Sequence, residues 1–459
     1  MKTDHSCAIA AYLDQHRSAF LEKLQELLRI PSVSTQSQRA GDVARCAAWV
    51  EAHLGNLGLQ VRTVPTEGHP AVVAHGPFRE GRPRVLLYGH YDVQPADELD
   101  LWTSPPFEPR VTGDRIYARG ACDNKGQFFA HVCAVETLLQ AVGELPVNLS
   151  MLIEGEEEIG SPNLAGLLER LRGELAPDLA VVSDTSTSVK GIPTIHYSLR
   201  GIVVFELRLR VAHRDVHSGV YGGTLPNAVH ALARMVAGLH DDRYRVTVPG
   251  FYDGVLEAEE WERDALDRLP FDEVAYRDWL GAGELLGEHG YSTNERRWFR
   301  PTLECNGITG GYQGEGSKTI VPATASAKFS ARLVADQDPS HVLACLRRWF
   351  EQNRPDWARL DFLPGDSGHP YLLRRSSANE RLFEAAREAV RSGFGVDPLF
   401  SRHGGAIPVV SDFRRVLGVD TLLLGLGNPD DGIHSPDEKF ELGHFFGGIR
   451  AAAELYSRL

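Results

Sequence analysis

The stretch "LSMLIEGEEEIGSPNL" sets the tightest limit on how this chain can fold. A largely apolar run, Leu149–Ile153, ends against four glutamates: Glu154, Glu156, Glu157 and Glu158. Like charges this close repel, and each carboxylate loses hydration on leaving water. On a helix surface the four would be a solvated face, but at the end of a buried strand they need a cation. They do not all suit one cation. At least one is expected to face solvent or to cap the following turn, because acids are favoured near helix starts.

The same ending recurs along the chain. "RVLLYGHYD" places His90 and Asp92 just past an apolar run, "LAVVSDT" does so for Asp184, and "TLLLGLGNPDDGIH" for His434. Asp123, in "GACDNKGQ", stands where a helix begins. In open α/β sheets, sites gather at the carboxyl ends of strands. Two imidazoles and three carboxylates suit one or two divalent transition metals, with zinc first. Each residue also has a plainer reading. A lone His-x-Asp is usually an oriented or surface histidine, Asp123 fits an N-cap, and His434 fits a turn. Their recurrence in one chain carries the metal reading.

A length of 459 residues exceeds one ordinary core, so two domains are expected. Up to about Arg200, strands such as "AVVAHG" and "VNLSMLIEG" alternate with helices such as "KGQFFAHVCAVETLLQAVG". That pattern predicts an α/β fold with a mixed, mostly parallel sheet covered by helices on both faces. "GIVVFELRLRVA" and "TASAKFSARLVA" then alternate with period two, as strands with one wet face do. A long acidic helical stretch is expected from about Val255 to Gly283. This α+β middle is read as a domain inserted into the first, with boundaries at residues 1–198, 199–375 and 376–459.

Net charge is −14 without a basic run, which argues against nucleic acid and anionic membrane as partners. No segment approaches the roughly 20 apolar residues that span a bilayer. "MKTDHSCAIAAYLDQHRSAF" carries charges where a secretory signal needs an apolar stretch. The six cysteines form no C-x-x-C pair, so reduced thiols in a cytoplasmic protein are expected.

Taken in order, "GHYDVQP", "GACDNKG", "EGEEEIGS", "VVSDT", "DVHSGVYGG", "GEGSKTIVP", "SARLVADQDP" and "DDGIHSPDEK" resemble the di-zinc metallopeptidases of the M20 family, in its carnosinase-like cytosolic dipeptidase branch. The resemblance implies a catalytic α/β domain interrupted by a lid domain that also mediates dimerisation. It implies two divalent ions per subunit, zinc first, with manganese or cobalt as alternatives. Asp123 would bridge the ions, His90 and Asp184 would complete one site, and Glu158 and His434 the other. The family reads E-G-x-E-E-I-G-S, which makes Glu157 the general base and leaves Glu154 and Glu156 structural. Asp92 would orient the His90 ring. His217 matches a lid histidine that reaches the neighbouring subunit's site, Arg332 an arginine that grips the substrate carboxylate, and Thr319 another lid residue near substrate. The implied substrate is a small peptide or amino-acid amide.

The branch reads R-E-G-G-(S/T)-I-P where this chain has "RHGGAIPVV". His403 thus replaces an acid and Ala406 a hydroxyl, with Gly405 between them, in a loop that lines the family's substrate pocket. An acid there favours a protonated amino terminus, so its loss leaves N-acyl or N-carbamoyl amino acids open as substrates. His369, in "GDSGHPYLL", is a further candidate near the family's lid hinge.

Other classes fit less well. "GDSGHP" resembles a serine-protease nucleophile segment, but the upstream histidine and aspartate motifs of that all-β fold are missing. "GITGGYQGEGSK" is followed by a strand pattern rather than the helix a phosphate loop requires. A metal-binding module without catalysis has no need of Glu157.

Overall fold

The computed structural model describes residues 5–96 and 98–459. The chain divides into two compact units. The first comprises Met1–Tyr197, Leu373–Ser401 and Pro408–Leu459, and the second Ser198–Leu372 and Arg402–Ile407. The second unit therefore takes back a six-residue piece, Arg402–Ile407, that lies inside the expected last segment of the first.

The first unit is built on one mixed sheet, as its apolar strand pattern predicts. Across it run Gln60–Val64, Ala71–His75, Asn148–Glu154, Arg84–His90, Leu179–Val182, Thr421–Gly425 and Thr194–Leu199. The four strands from Asn148–Glu154 to Thr421–Gly425 are mutually parallel. Their residues are almost all buried, which is why they read as continuous apolar runs rather than alternating ones. Parallel strands end at the same edge, so His90, Glu154 and the segments after Val182 and Gly425 all emerge there. Helix Lys125–Ala141 is nearly all buried and packs against Ser6–Leu28 and Leu442–Arg458. Gly89 permits its close approach: a Cβ there would lie 2.3 Å from Phe128 Cβ.

The second unit carries a four-stranded antiparallel sheet in the order Thr302–Gly310, Thr324–Leu333, Gly201–Arg210, Arg359–Gly368. Burial alternates along Gly201–Arg210, with one face turned to a core. Phe205 stacks there on Phe329 and Phe362. The acidic stretch differs from expectation and forms two short helices, Glu260–Asp267 and Glu273–Leu280. Pro270 has no N–H for a continuing helix. Asp272 then starts the second helix by accepting the amides of Val274 and Ala275.

Among the described residues, no helix is long and apolar enough to cross a membrane. All six cysteines are free thiols.

Candidate metal centre

The carboxyl edge of the parallel strands collects the predicted residues of the first unit. His90 is the last residue of its strand, and Asp184 lies two residues beyond Val182. Asp123 precedes helix Lys125–Ala141 but does not cap it; Asn124 holds that position without a side-chain cap bond. His434 is presented from a loop in left-handed backbone, φ 61°. Glu157 and Glu158 open a single turn, Glu157–Ile159, closed by Gly160 at φ 84°.

Asp123 divides its two oxygens between the histidines. Oδ1 lies 3.2 Å from His90 Nε2, and Oδ2 lies 3.0 Å from His434 Nε2. His90 Nε2 is also 3.6 Å from Asp184 Oδ1, and His434 Nε2 is 3.3 Å from Glu158 Oε2. Two donor groups result, His90–Asp123–Asp184 and Asp123–Glu158–His434, each with its donor atoms within 4.8 Å of one another.

The electrostatics of this cluster favour positive charge. Burial alone would lower the His90 imidazole, yet contacts with Asp123, Asp184 and Asp92 lift it well above its ordinary value. Contacts with Asp123 and Glu158 push His434 up to about 10. Burial raises Glu157 well above the ordinary carboxylate range, and Asp184, Asp123 and Glu158 add to the rise against the opposing pull of His90. Among the described residues of this cluster, His90 Nε2, although 3.2 Å from Asp123 Oδ1, and Glu158 Oε1 are buried without a well-formed hydrogen bond. Orphaned donor atoms among surplus carboxylates, of mixed nitrogen and oxygen type, fit divalent transition metals.

The other two glutamates have structural partners. Glu154 accepts from Tyr88 Oη at 2.6 Å and Ser161 Oγ at 2.9 Å, and burial pushes it up to about 7. Glu156 accepts from the His69 amide at 2.9 Å and from Asn163 Nδ2 at 2.9 Å. Neither faces solvent, because the loop at residue 69 and the Asn163 side chain cover Glu156. Glu156 instead stands at the N-cap position of the turn Glu157–Ile159, the other place expected for one of the four, although its side chain makes no cap bond there.

Residues 86–458 match peptidase family M20/M25/M40. The chain belongs to this family. It is 30% identical over 451 residues to the Cys-Gly metallodipeptidase dug1 of Schizosaccharomyces pombe, covering 95% of each chain. It is also 30% identical to the human Beta-Ala-His dipeptidase, covering 97% of this chain and 91% of the relative. Among solved structures, the M20 family metallo-carboxypeptidase Sso-CP2 from Sulfolobus solfataricus superposes with a TM-score of 0.83 at 32% identity, over 95% of this chain and 98% of that one. The chain is thus an M20 hydrolase, and its mixed α/β fold is that of the family.

The remaining candidates of this M20 chain lie in the second unit. His217 and Thr319 are exposed neighbours: strand Val216–His217 pairs with Ile320–Val321, and the Thr319 carbonyl accepts the Ser218 amide at 3.0 Å. The His217 ring accepts the Gly219 amide at 3.0 Å. Arg332 is half-buried opposite Thr302, and burial lowers its guanidinium from the usual range. His403 Nδ1 accepts the Gly405 amide at 3.1 Å, the Gly405 carbonyl accepts the Arg200 amide at 3.0 Å, and Ala406 is half-buried beside them. His369 is exposed just after strand Arg359–Gly368.

Sequence reasoning passed over two residues beside the donors. Asn124 Nδ2 donates to Asp184 Oδ1 at 2.8 Å, and Gln94 Nε2 donates to Glu158 Oε2 at 2.9 Å. Both are neutral amides inside the quoted segments "GHYDVQP" and "GACDNKG", and that placement is their only signal in the sequence.

Proposed function

We propose that this chain is a metal-dependent dipeptidase that binds two divalent ions and uses Glu157 as general base. The observation that carries the reading is the sharing of Asp123 between two donor groups. His90, Asp184 and one Asp123 oxygen would hold the first ion; Glu158, His434 and the other oxygen would hold the second. When bound, such ions would supply Lewis-acid polarisation of the substrate carbonyl and a lowered pKa for the attacking water.

The chain's own residues do the rest. The Glu157 carboxyl belongs to neither donor group and makes no hydrogen bond among the described residues, which leaves it available to a proton. It takes the proton of the attacking water and hands it to the departing amine. Asp92 fixes the Glu157 backbone and so fixes where that carboxyl can reach. Arg332 supplies a planar fork for the substrate carboxylate. The dipeptidase reading draws on the two curated relatives of that activity. Zinc is the leading ion, the free thiols suit a cytoplasmic setting, and a homodimer through the second unit would let His217 serve a neighbouring subunit.

A second reading is favoured by His403 and Ala406: hydrolysis of N-acyl or N-carbamoyl amino acids. The deciding experiment compares alanyl and glycyl dipeptides with their N-acetylated and N-carbamoylated counterparts, on zinc-reconstituted enzyme beside a Glu157→Ala control. Cleavage of the free dipeptides alone supports the first reading. Preference for blocked compounds replaces it with the second, and no Glu157-dependent hydrolysis of either set defeats both.

A further inference from the structure

One fully buried carboxylate outside both donor groups ties their two most separated loops together. Glu438 lies four residues after His434 and is 0% exposed. Its Oε1 accepts the backbone amides of Cys122 at 2.9 Å and Asp123 at 3.0 Å. Its Oε2 accepts the Gly120 amide at 2.9 Å and Arg119 Nη1 at 2.8 Å. The Glu438 carbonyl accepts the Ala118 amide at 3.1 Å, and Lys439–Glu441 pairs with Arg115–Tyr117 directly beyond.

We infer that Glu438 is a positioning residue that sets the His434 loop against the Asp123 loop and thereby fixes the affinity of the second ion. Four donors converge on two oxygens, an arrangement that only an ionised carboxylate satisfies fully. The loop it anchors is also tied to Thr103, whose amide and hydroxyl donate to Asp437 at 2.8 and 2.6 Å. His434 and Asp437 both sit in left-handed backbone, at φ 61° and 56°, a conformation that persists only when the surroundings impose it. Asp431 closes the loop from its other side, accepting the Asn428 amide at 2.6 Å and Lys439 Nζ at 2.5 Å. Of the first group these contacts touch only Asp123, which both groups share, and neither His90 nor Asp184, whereas the backbone that presents His434 runs directly into Glu438. Loss of Glu438 should therefore weaken the group holding Glu158 and His434 more than the group holding His90 and Asp184.

The inference rests on the two-ion reading, and the test separates them. Metal-stripped wild type, Glu438→Gln, Glu438→Asp and His434→Ala are titrated with Zn²⁺ by competition calorimetry, with circular dichroism as a fold control. Wild type binding fewer than two ions would overturn the two-ion reading and this inference with it. With two ions bound by wild type, His434→Ala identifies the second. In Glu438→Gln, one amide N–H must face two donors. The second ion should then bind at least about 10-fold more weakly, with a smaller change for the first. Unchanged affinities, or equal weakening of both ions, would overturn the assignment. Should Glu438→Gln fail to fold, Glu438→Asp, which keeps the charge and shortens its reach, is read by the same criterion. Unfolding of both variants would make Glu438 a residue of the fold alone and would also overturn it.

Discussion

Asp92 holds Glu157 by its backbone: Oδ1 accepts the Glu157 amide at 3.2 Å, while Oδ2 takes the Glu158 amide at 3.1 Å. His90 Nδ1 meanwhile lies 3.1 Å from the Asp92 main-chain carbonyl and 3.4 Å from Oδ1. A residue expected only to orient an imidazole thus accepts two backbone amides of the turn Glu157–Ile159.

Asp92→Asn replaces one acceptor with an N–H group that must face a backbone donor. Turnover is expected to fall about 10–100-fold, the usual effect of losing a group that orients metal ligands. Steady-state kinetics at saturating zinc, with circular dichroism confirming the fold, check this. Wild-type kcat in the variant would leave Asp92 without the supporting role.

Glu157→Gln should separate binding from chemistry. The carboxyl belongs to neither donor group, so both ions should remain bound. An amide cannot carry the proton, and kcat should drop about 100- to 10,000-fold. Elemental analysis beside dipeptide turnover reads both quantities. Lost ions would make Glu157 a ligand rather than a base.

Much of the candidate site is legible because the same ending recurs: an apolar run that stops on His90, or two residues short of Asp184, has plainer meanings alone, and only the repetition along one chain points to a shared edge. The identity of the nearer helpers is not legible. Asn124, Gln94 and Glu438 act through distances of 2.8–3.0 Å that depend on how separate loops meet, and loop backbone leaves no periodic trace. The fold followed the same division. Buried parallel strands and the alternating strand Gly201–Arg210 are plain from apolar period, whereas the acidic composition predicts a helical stretch without placing the break at Pro270 or the new start at Asp272.

His131, which belongs to neither donor group, gives a pH prediction. Buried between Tyr456 Oη at 2.9 Å and Ser183 Oγ at 2.8 Å, it is pushed by burial down to about 3. The native ring is neutral, while the unfolded ring gains a proton near pH 6.5. Below that pH the unfolded state binds more protons, so stability falls as pH drops from about 6.5 toward 3. This one group should remove about 1.5–2 kcal/mol between pH 6.5 and 5. Urea unfolding at the two pH values should show that much less loss in His131→Asn, and an equal loss would contradict it.

Arg402 and Glu262 form a buried pair in the second unit, next to the loop of His403, Gly405 and Ala406. Arg402 Nε and Nη2 donate to Glu262 Oε1 at 2.9 and 2.7 Å, both side chains are nearly inaccessible, and the guanidinium lies 4.0 Å from the Phe299 ring centre. Removing one partner strands a buried charge, so Glu262→Leu should cost about 3–5 kcal/mol. Arg402→Met made in the same chain takes the second charge away and should restore most of that loss. Restoration stays incomplete because Glu262 Oε2 also accepts the Glu259 amide at 2.8 Å at a helix start, a contact worth about 1 kcal/mol. A double-mutant cycle on the unfolding of the intact protein should return a coupling of several kcal/mol. Simple additivity of the two substitutions would mean that solvent, rather than Glu262, balances the Arg402 charge.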